Sequence, residues 1–243
     1  MKQGIYTIRA NEAIAPSVYR MILSGDTSPI AAPGQFVNLK IEGLYLRRPL
    51  SVCDWDAETM TLIYKTVGQG TEALSAMRPG QSLDLLAGLG NGFDIGVSCE
   101  RPLLIGGGVG VPPLYGLCRR LIARGKAPRV ILGFNTAREV FYEKAFAALG
   151  AAVTVTTADG SLGVKGFVTA AMDEAPYDYF YACGPIPMFK AIDAVARTSG
   201  QMSFEERMGC GFGACMGCTC QTKNGPKRIC TEGPVLVREE VQW

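Results

Sequence analysis

The chain has 243 residues, of which 48% are hydrophobic and 19% charged, a globular composition that excludes a disordered or fibrous protein. Its 24 Lys and Arg residues barely exceed its 22 Asp and Glu residues, and a net charge of +2 leaves no basic surplus for binding nucleic acid. The absence of histidine excludes Ser-His-Asp triads, His general bases, and zincin or Rieske-type ligand sets.

The first hundred residues predict β structure. Short segments rich in β-branched and aromatic residues are separated by turn residues, and several of them alternate in polarity. These segments are 4–10, 18–24, 35–41, 50–54, 60–67 and 82–86. Six short strands without a convincing helix indicate a small antiparallel barrel over residues 1–98.

From residue 99 to residue 202 the pattern changes to alternating strands and helices, which predicts an α/β domain with a parallel sheet and right-handed crossovers. The predicted strands are 102–105, 129–134, 152–156 and 177–182. The predicted helices are one that begins near Pro112 and others over 139–149 and 185–198, the last with Met188, Ile192 and Val195 facing inward. Regularity stops near Ser203, and the tail 203–243 has too little apolar material for a core.

No apolar stretch predicts a signal peptide or a membrane span, because the most apolar segment, 102–118, is interrupted by glycines and prolines. We therefore expect a cytoplasmic protein. In a reducing compartment, clustered cysteines indicate metal binding or redox chemistry before disulfides.

The tail holds the strongest motif. Cys210, Cys215, Cys218 and Cys230 have the spacing C-x4-C-x2-C-x11-C, and the first three match the plant-type pattern for a [2Fe–2S] cluster. Glycines between the ligands let the backbone approach the cluster and point N–H groups at sulfur. A zinc site or a disulfide-bonded tail is the alternative, although zinc ribbons usually pair two short knuckles.

The other cysteines have weaker assignments. Cys220 either replaces Cys218 as a ligand or packs behind the cluster. Cys53, Cys99 and Cys118 are scattered along the chain and are expected to be small core residues.

Two segments of the α/β half are typical of nucleotide binding. Gly106, Gly107, Gly108 and Gly110 lie between a strand and a helix, where backbone amides can hold a pyrophosphate. The run is not a complete dinucleotide motif, since a third glycine and an acidic residue after the next strand are missing, so a plain βα turn is the alternative. Cys183, Gly184 and Pro185 follow the last strand at the ligand-binding edge of the sheet. Cys183 is either beside a nicotinamide or a buried thiol.

In the barrel half, Arg48, Pro49, Leu50 and Ser51 are predicted to present a guanidinium and a hydroxyl on one extended face, suited to a phosphate and a flavin edge. A surface arginine beside a core leucine is the alternative. Gly68, Gln69, Gly70 and Thr71 offer amides and a hydroxyl to phosphate, before a possible short helix over 72–77.

Taken in order, these motifs resemble the ferredoxin-NADP reductase-like flavoproteins, and within them the electron-transfer subunits of NAD-dependent (type B) dihydroorotate dehydrogenase. The resemblance spans nearly the whole chain. It is carried by the segments 48–51, 68–71, 106–110, 159–166, 183–185 and 206–215.

The resemblance implies an electron relay. NADH would bind the α/β domain and reduce FAD on the barrel, and a [2Fe–2S] cluster would pass single electrons to an FMN-containing dihydroorotate dehydrogenase catalytic subunit. The implied assembly is a heterotetramer with two copies of each subunit, acting in de novo pyrimidine (UMP) synthesis. By the same resemblance the FAD-binding residues are Arg48, Pro49, Leu50, Ser51, Ile63, Tyr64, Lys65, Gly70 and Thr71, and the cluster ligands are Cys210, Cys215, Cys218 and Cys230.

Two other functions stay open. One is an NAD(P)H-linked reductase subunit for ferredoxin or a hydrogenase, and the other is a non-enzymatic, zinc-tailed nucleotide-binding module. An arginine such as Arg138, after the second strand of the α/β domain, can favour a 2′-phosphate, so the expectation of NAD rests on the resemblance alone.

Overall fold

The computed structural model, which describes residues 1–243, begins with six strands that close into an antiparallel barrel. They are β1 (Lys2–Ala15), β2 (Val18–Ser24), β3 (Phe36–Lys40), β4 (Arg48–Trp55), β5 (Thr59–Lys65) and β6 (Ser82–Leu89). Their order around the barrel is β1-β2-β5-β4-β3-β6. The interior is apolar, with Ile8, Met21, Leu39 and Leu62 fully buried. The prediction of a small antiparallel barrel is therefore confirmed.

A short helix, α1 (Gln69–Ala76), joins β5 to β6. It begins three residues before the predicted segment 72–77, with Gly68 as its N-cap residue. The glycine-containing loop predicted to bind phosphate is thus itself the first turn of this helix.

The second half forms a seven-stranded sheet with the order β10-β9-β8-β7-β11-β12-β15. Its parallel strands are β7 (Pro102–Gly107), β8 (Arg129–Phe134), β9 (Ala152–Thr157), β10 (Val164–Lys165), β11 (Tyr179–Cys183) and β12 (Gly200–Ser203). The main helices are α2 (Pro112–Ala123), α3 (Glu143–Ala148) and α4 (Ile186–Val195). The predicted parallel α/β arrangement is confirmed, with β10 and β12 as strands that the sequence pattern did not reveal.

Two helix predictions need correction. The segment 139–149 is not one helix: a 3-10 turn covers Ala137–Glu139, and α3 begins only at Glu143 because Tyr142 has a left-handed φ of 65°. Helix α4 ends at Val195, three residues before the predicted end, and Val195 is 46% exposed rather than inward-facing. Phe189 is fully buried in its place, together with Ile192.

The tail has more regular structure than predicted. It contains an antiparallel hairpin, β13 (Thr219–Thr222) with β14 (Gly225–Arg228), and β15 (Val235–Val237), which adds to the sheet antiparallel to β12. Ile229, Leu236 and Val241 are buried and pack into the core on one face of the sheet. The expectation that regular structure ends near Ser203 is therefore wrong, since these few apolar residues anchor the tail to a core built by others.

The barrel and the sheet are joined by helix α2. Arg119 donates from Nη2 to Asp54 Oδ1 at 2.7 Å and to the Trp55 carbonyl oxygen at 2.8 Å. The guanidinium of Arg120 lies 3.4 Å from the centre of the Trp55 ring, a cation–π contact. No helix of the chain combines the length and the apolar character needed to cross a bilayer.

Candidate functional site

The four predicted cluster ligands lie in the tail as two pairs. The backbone N–H of Cys210 donates to the sulfur of Cys215, with an N···Sγ distance of 3.4 Å. The N–H of Cys230 donates to the sulfur of Cys218 at the same distance. Hairpin β13–β14 creates the second pair, because it returns the chain so that Ile229 N–H donates to the Cys218 carbonyl oxygen at 3.1 Å.

Glycine allows the loop around the first pair to fold tightly. Gly211 and Gly213 both have left-handed backbone conformations, with φ of 79° and 92°. The Gly213 carbonyl oxygen accepts a hydrogen bond from Arg228 Nη1 at 2.8 Å, so the loop is tied to β14. The prediction that glycines let this backbone adopt positive φ is confirmed at these two positions.

Cys210 and Cys230, one from each pair, have opposite pKa shifts. Burial alone would raise the pKa of Cys210, but the backbone N–H groups of Phe212, Cys215 and Ala214 donate to its sulfur and lower its pKa to about 6. The Ala214 N–H is 3.2 Å from this sulfur. At the buried pair, burial and the adjacent Cys218 thiol raise the pKa of Cys230 to about 12. A positive metal centre would remove that proton, because ligand binding and deprotonation are coupled.

This arrangement fits a two-iron cluster better than a single zinc ion. Each iron of a [2Fe–2S] cluster takes two thiolates, which matches two pairs of cysteines. A zinc ribbon usually has two short cysteine knuckles, whereas here a compact group of three, Cys210, Cys215 and Cys218, is joined by the distant Cys230.

Cys220 is placed behind the ligands. It lies on β13 opposite Lys227 and packs, partly buried, against the core that contains Cys218 and Cys230. Burial raises the pKa of its thiol. Cys218, not Cys220, is the partner of Cys230, which favours the packing interpretation of Cys220. Cys53, Cys99 and Cys118 are buried, as expected for core residues.

The barrel brings a cation to the beginning of α1. The Arg48 side chain leaves β4 and lies over Gly70 so closely that any Cβ at Gly70 would overlap its guanidinium. Its Nη1 also donates to the Leu46 carbonyl oxygen. The first N–H groups of a helix have no partner within the helix, so this guanidinium and the first turn of α1 together suit a phosphate.

Thr71 supports this turn. Its hydroxyl donates to the Gly68 carbonyl oxygen at 3.0 Å and accepts from the Val67 N–H at 2.8 Å. The hydroxyl therefore stabilises the loop, and the main-chain N–H of Thr71 is the group left for a phosphate.

The segment 48–51 departs from the prediction in one respect. It pairs with β3 in regular register, Leu39 opposite Arg48 and Phe36 opposite Ser51. Residues three apart on a regular strand point to opposite sides, so the expectation that Arg48 and Ser51 share one face is wrong. Leu50 packs against the barrel core. Pro49 and Ser51 lie on the other side of the strand.

The three predicted residues of β5 have different surroundings. Tyr64 is 2% exposed, donates to Asn11 Oδ1 at 2.9 Å and stacks on Tyr19. Burial raises its pKa to about 12. Ile63 is buried in the core shared by the barrel and the sheet, and Lys65 is exposed. The Tyr64 side chain is therefore not available to a ligand outside the barrel, and only its main chain could contact one.

The two predicted nucleotide segments meet at the carboxyl edge of the sheet. Gly106 and Gly107 end β7, and Gly108 and Gly110 form a 3-10 turn before α2. A Cβ at Gly110 would overlap the Cys183 carbonyl group, and a Cβ at Gly184 would lie 3.3 Å from Gly107 N. This close approach requires glycine and leaves both sets of backbone groups at one crevice.

Cys183, Gly184 and Pro185 connect β11 to α4 at that crevice. Cys183 is 8% exposed, and burial raises the pKa of its thiol to about 12, so the thiol stays protonated near neutral pH. Met188, which the helical pattern marked only as inward-facing, covers Gly107 and Gly184. Its sulfur would lie 2.6 Å from a Cβ at Gly107 and 3.0 Å from a Cβ at Gly184.

Acidic groups lie near Arg138. Glu139 Oε2 accepts from both the main-chain and the side-chain nitrogen of Asn135, each at 3.1 Å. Asp159, in the loop after β9, accepts from the Ser161 hydroxyl at 2.6 Å, and that hydroxyl accepts from Ala137 N–H at 2.7 Å. Glu139 and Asp159 therefore tie the loops after β8 and β9 to the turn that carries Arg138. Asp159 belongs to the segment 159–166 that carries the family resemblance, whereas no role was predicted for Glu139.

Comparisons with known proteins agree with this geometry. A family model described as the iron–sulfur cluster binding domain of dihydroorotate dehydrogenase B matches residues 205–242. The chain is 45% identical to the dihydroorotate dehydrogenase B (NAD(+)) electron transfer subunit of Geobacillus sp. (strain WCH70), with 99% of each chain covered. It is 43% identical to the same subunit of Bacillus pumilus (strain SAFR-032), covering 99% of this chain and 98% of that one.

Among solved structures, the chain is similar to an NADH-dependent reduced ferredoxin-NADP oxidoreductase studied for flavin-based electron bifurcation. The TM-score is 0.89 at 30% identity, with 99% of this chain and 90% of that chain covered. The flavohem-like FAD/NAD binding domain of nitric oxide dioxygenase from Vibrio cholerae shares the fold, with a TM-score of 0.70 at 22% identity over 79% of this chain and 91% of that one.

Proposed function

Because the chain belongs to the family of dihydroorotate dehydrogenase B electron transfer subunits, we propose that its barrel, sheet and tail form one path for electrons between NAD and a catalytic partner. The observation that carries the proposal is the pairing of four thiols, Cys210 with Cys215 and Cys218 with Cys230. The cofactors of the chain are FAD, a [2Fe–2S] cluster and NAD.

We assign the FAD diphosphate to Arg48 and the first turn of α1, with the N–H groups of Gly70 and Thr71 as further donors. This assignment is supported by the position of the Arg48 guanidinium over Gly70. Pro49, Leu50 and Ser51 of β4, with Ile63, Tyr64 and Lys65 of β5, would lie along the flavin and its ribityl chain. FAD supplies the conversion of a two-electron hydride donor into single-electron steps.

The NAD site is proposed at the crevice of the sheet. The glycine turn at Gly106, Gly107, Gly108 and Gly110 would hold the pyrophosphate, and the turn at Cys183, Gly184 and Pro185 would lie at the nicotinamide. The meeting of these turns supports the assignment. The Cys183 thiol, protonated and buried, would pack rather than react. No side chain has to move a proton in this reaction, which agrees with a chain that has no histidine.

The partner would be the FMN-containing catalytic subunit, with two copies of each subunit in the assembly. Around the tail cysteines, Phe212 and Met216 are 45% and 56% exposed, so the loop that carries Cys215 presents apolar side chains to the surface. That loop is the proposed contact with the partner. We further propose a cytoplasmic location, and three units with boundaries at 1–98, 99–202 and 203–243.

One alternative partner is supported by a specific observation. The similarity to an NADH-dependent reduced ferredoxin-NADP oxidoreductase, at 30% identity and a TM-score of 0.89, extends over 99% of this chain. A subunit that delivers electrons to ferredoxin would need the same internal path and a different docking surface.

The test is reconstitution under anaerobic conditions. The purified chain should contain FAD and about two irons, the content of one [2Fe–2S] cluster. Mixed with a dihydroorotate dehydrogenase B catalytic subunit, it should give NADH oxidation that depends on orotate. NADH oxidation that depends on ferredoxin, with none dependent on orotate, would select the alternative, and a zinc-loaded, colourless protein would refute both.

A further inference from the structure

Asn38 connects the barrel to the cysteine tail. It lies in β3 and is 1% exposed. Its side-chain nitrogen donates to the carbonyl oxygen of Cys210, with an Nδ2···O distance of 3.1 Å. This contact joins two parts of the chain that are 172 residues apart, and it ends on a residue assigned above as a cluster ligand.

The neighbours of Asn38 belong to the proposed FAD segment. Across the ladder between β3 and β4, Asn38 lies opposite Pro49, and Phe36 lies opposite Ser51. Side chains that oppose each other in an antiparallel ladder point to the same side of the sheet. Asn38 therefore shares a face with Pro49 and Ser51, and the loop containing Cys210 docks on that face.

The orientation of this amide is fixed. If the side-chain oxygen and nitrogen of Asn38 were exchanged, the oxygen would face the Cys210 carbonyl oxygen, which cannot donate a hydrogen bond. Gly211 adjoins it, with a φ of 79° and no room for a Cβ beside Asn38 Nδ2. Asn38 Oδ1 consequently stays buried and accepts no hydrogen bond from the protein.

The unpaired Asn38 Oδ1 argues for a functional role of this residue. A buried polar atom without a partner destabilises the folded state, and an apolar side chain of similar size would avoid that penalty. Cys210 itself is only partly buried, so the loop that carries it borders the solvent. Stability alone therefore does not require an asparagine at position 38.

We propose that Asn38 is a positioning residue that fixes the Cys210 end of the cluster loop against the FAD-binding strand and so sets electron transfer between the two cofactors. The inference rests on the proposed function. One electron leaves reduced FAD and enters the cluster, and no bond is made or broken. Hydrogen bonding around a ligand also affects the reduction potential of a cluster.

The test compares three variants of the FAD- and cluster-loaded chain. Asn38→Leu removes the donor, and Asn38→Asp keeps the shape but replaces the donor by an acceptor. Asn91→Leu is the control, because Asn91 also joins the barrel side to the tail, donating to the Val235 carbonyl oxygen at 2.8 Å, but it is exposed and has no hydrogen bond to a cysteine. Each protein is reduced anaerobically with NADH, and FAD and cluster reduction are followed separately by stopped-flow absorbance.

Both Asn38 variants should show unchanged FAD reduction but slower cluster reduction, by about two- to tenfold, the factor that one hydrogen bond contributes. The paramagnetic signal of the reduced cluster should change, and release of iron to a chelator should accelerate. The melting temperature of Asn38→Leu should be unchanged or higher. Asn91→Leu should lower the melting temperature while leaving the cluster signal and its reduction rate unchanged.

Wild-type rates and an unchanged paramagnetic signal in both Asn38 variants would overturn the inference, as would equal slowing in Asn91→Leu. If Asn38→Leu does not fold, the cluster-reduction rate and the paramagnetic signal of Asn38→Asp test the inference. Loss of the cluster from the Asn38 variants alone supports the inference, because Cys210 is then misplaced. Failure of the wild-type chain to reduce its own cluster with NADH refutes the proposed function instead.

Discussion

The guanidinium of Arg48 lies directly over the α-carbon of Gly70, at the first turn of helix α1. Arg48 begins a strand of the barrel, while Gly70 belongs to the helix that leaves the next strand along the chain. Their contact places a positive charge beside the first turn of α1, where the first backbone N–H groups of a helix have no partner within the helix. A diphosphate bound there would be held by both.

Arg48→Ala should weaken FAD binding by about 1.5–3 kcal/mol, the contribution of a hydrogen bond to a charged group. Arg48→Lys should recover part of the loss, because a lysine keeps the charge but not the planar set of donors. Fluorescence titration of the apoprotein with FAD measures both. Equal affinity of Arg48→Ala and wild type would return Arg48 to the role of a surface residue.

Gly70→Ala should also weaken FAD binding, since the new methyl group displaces the Arg48 guanidinium. Gly68→Ala is the control, because a Cβ at Gly68 meets no atom within 4 Å and the residue has an extended φ of 165°. The same titration should show reduced FAD affinity only for Gly70→Ala. A loss of the same size in both variants would mean that the turn, not the arginine, is disturbed.

Cys215→Ser should abolish the cluster while FAD stays reducible by NADH, because the hydride step precedes the cluster. Cys220→Ser should retain about two irons per chain, the content of one [2Fe–2S] cluster, since Cys220 packs behind the ligands. Iron analysis and the paramagnetic signal after dithionite reduction distinguish the variants. Loss of iron from Cys220→Ser would show that the ligand set is misassigned.

Tyr64→Phe tests the placement of a residue expected at the flavin. Its hydroxyl contacts Asn11 inside the barrel, so removing it should lower the free energy of unfolding by about 0.5–1.5 kcal/mol. FAD affinity should not change, because the side chain is only 2% exposed. Urea unfolding and FAD titration measure the two effects, and a loss of FAD affinity without a loss of stability would contradict this placement.

An ion pair between Asp193 on α4 and Arg238 in the tail should make stability depend on pH. Arg238 Nε is 2.6 Å from Asp193 Oδ1. Burial would raise the pKa of Asp193, but hydrogen bonds from Arg238 and Trp243 lower it below the usual 3.8. A lowered pKa stabilises the fold above pH 3.8, and the contribution is lost as the pH falls through the folded-state pKa.

Asp193→Asn should therefore reduce the free energy of unfolding near pH 7 by up to about 1 kcal/mol, since the pair is partly exposed. Asp173→Asn is the control, because its partner Arg197 is 3.4 Å away and both side chains are more than 70% exposed. Urea unfolding at several pH values should show the difference from wild type shrinking in acid for Asp193→Asn alone. A difference that does not vary with pH would exclude the ionic contribution.

Much of this molecule could be predicted from local patterns. The alternation of short β segments, then of strands and helices, indicated the barrel and the parallel sheet, because side-chain period is a property of neighbouring residues. The spacing of Cys210, Cys215 and Cys218 indicated the cluster for the same reason: the ligands are close along the chain. Helix ends were less predictable, as Tyr142 shows, since a left-handed residue there interrupts an apolar pattern that continues on both sides.

Only the tertiary structure determined which residues of distant segments contact each other. The separate strand and loop motifs gave no sign that Arg48 covers Gly70, that Met188 covers Gly107, or that Asn38 holds the carbonyl group of Cys210. The sequence also did not reveal that β15 would extend the sheet and anchor the cysteine tail. Such contacts depend on how the barrel and the sheet pack together, and packing is fixed by burial across the whole chain rather than by any local pattern.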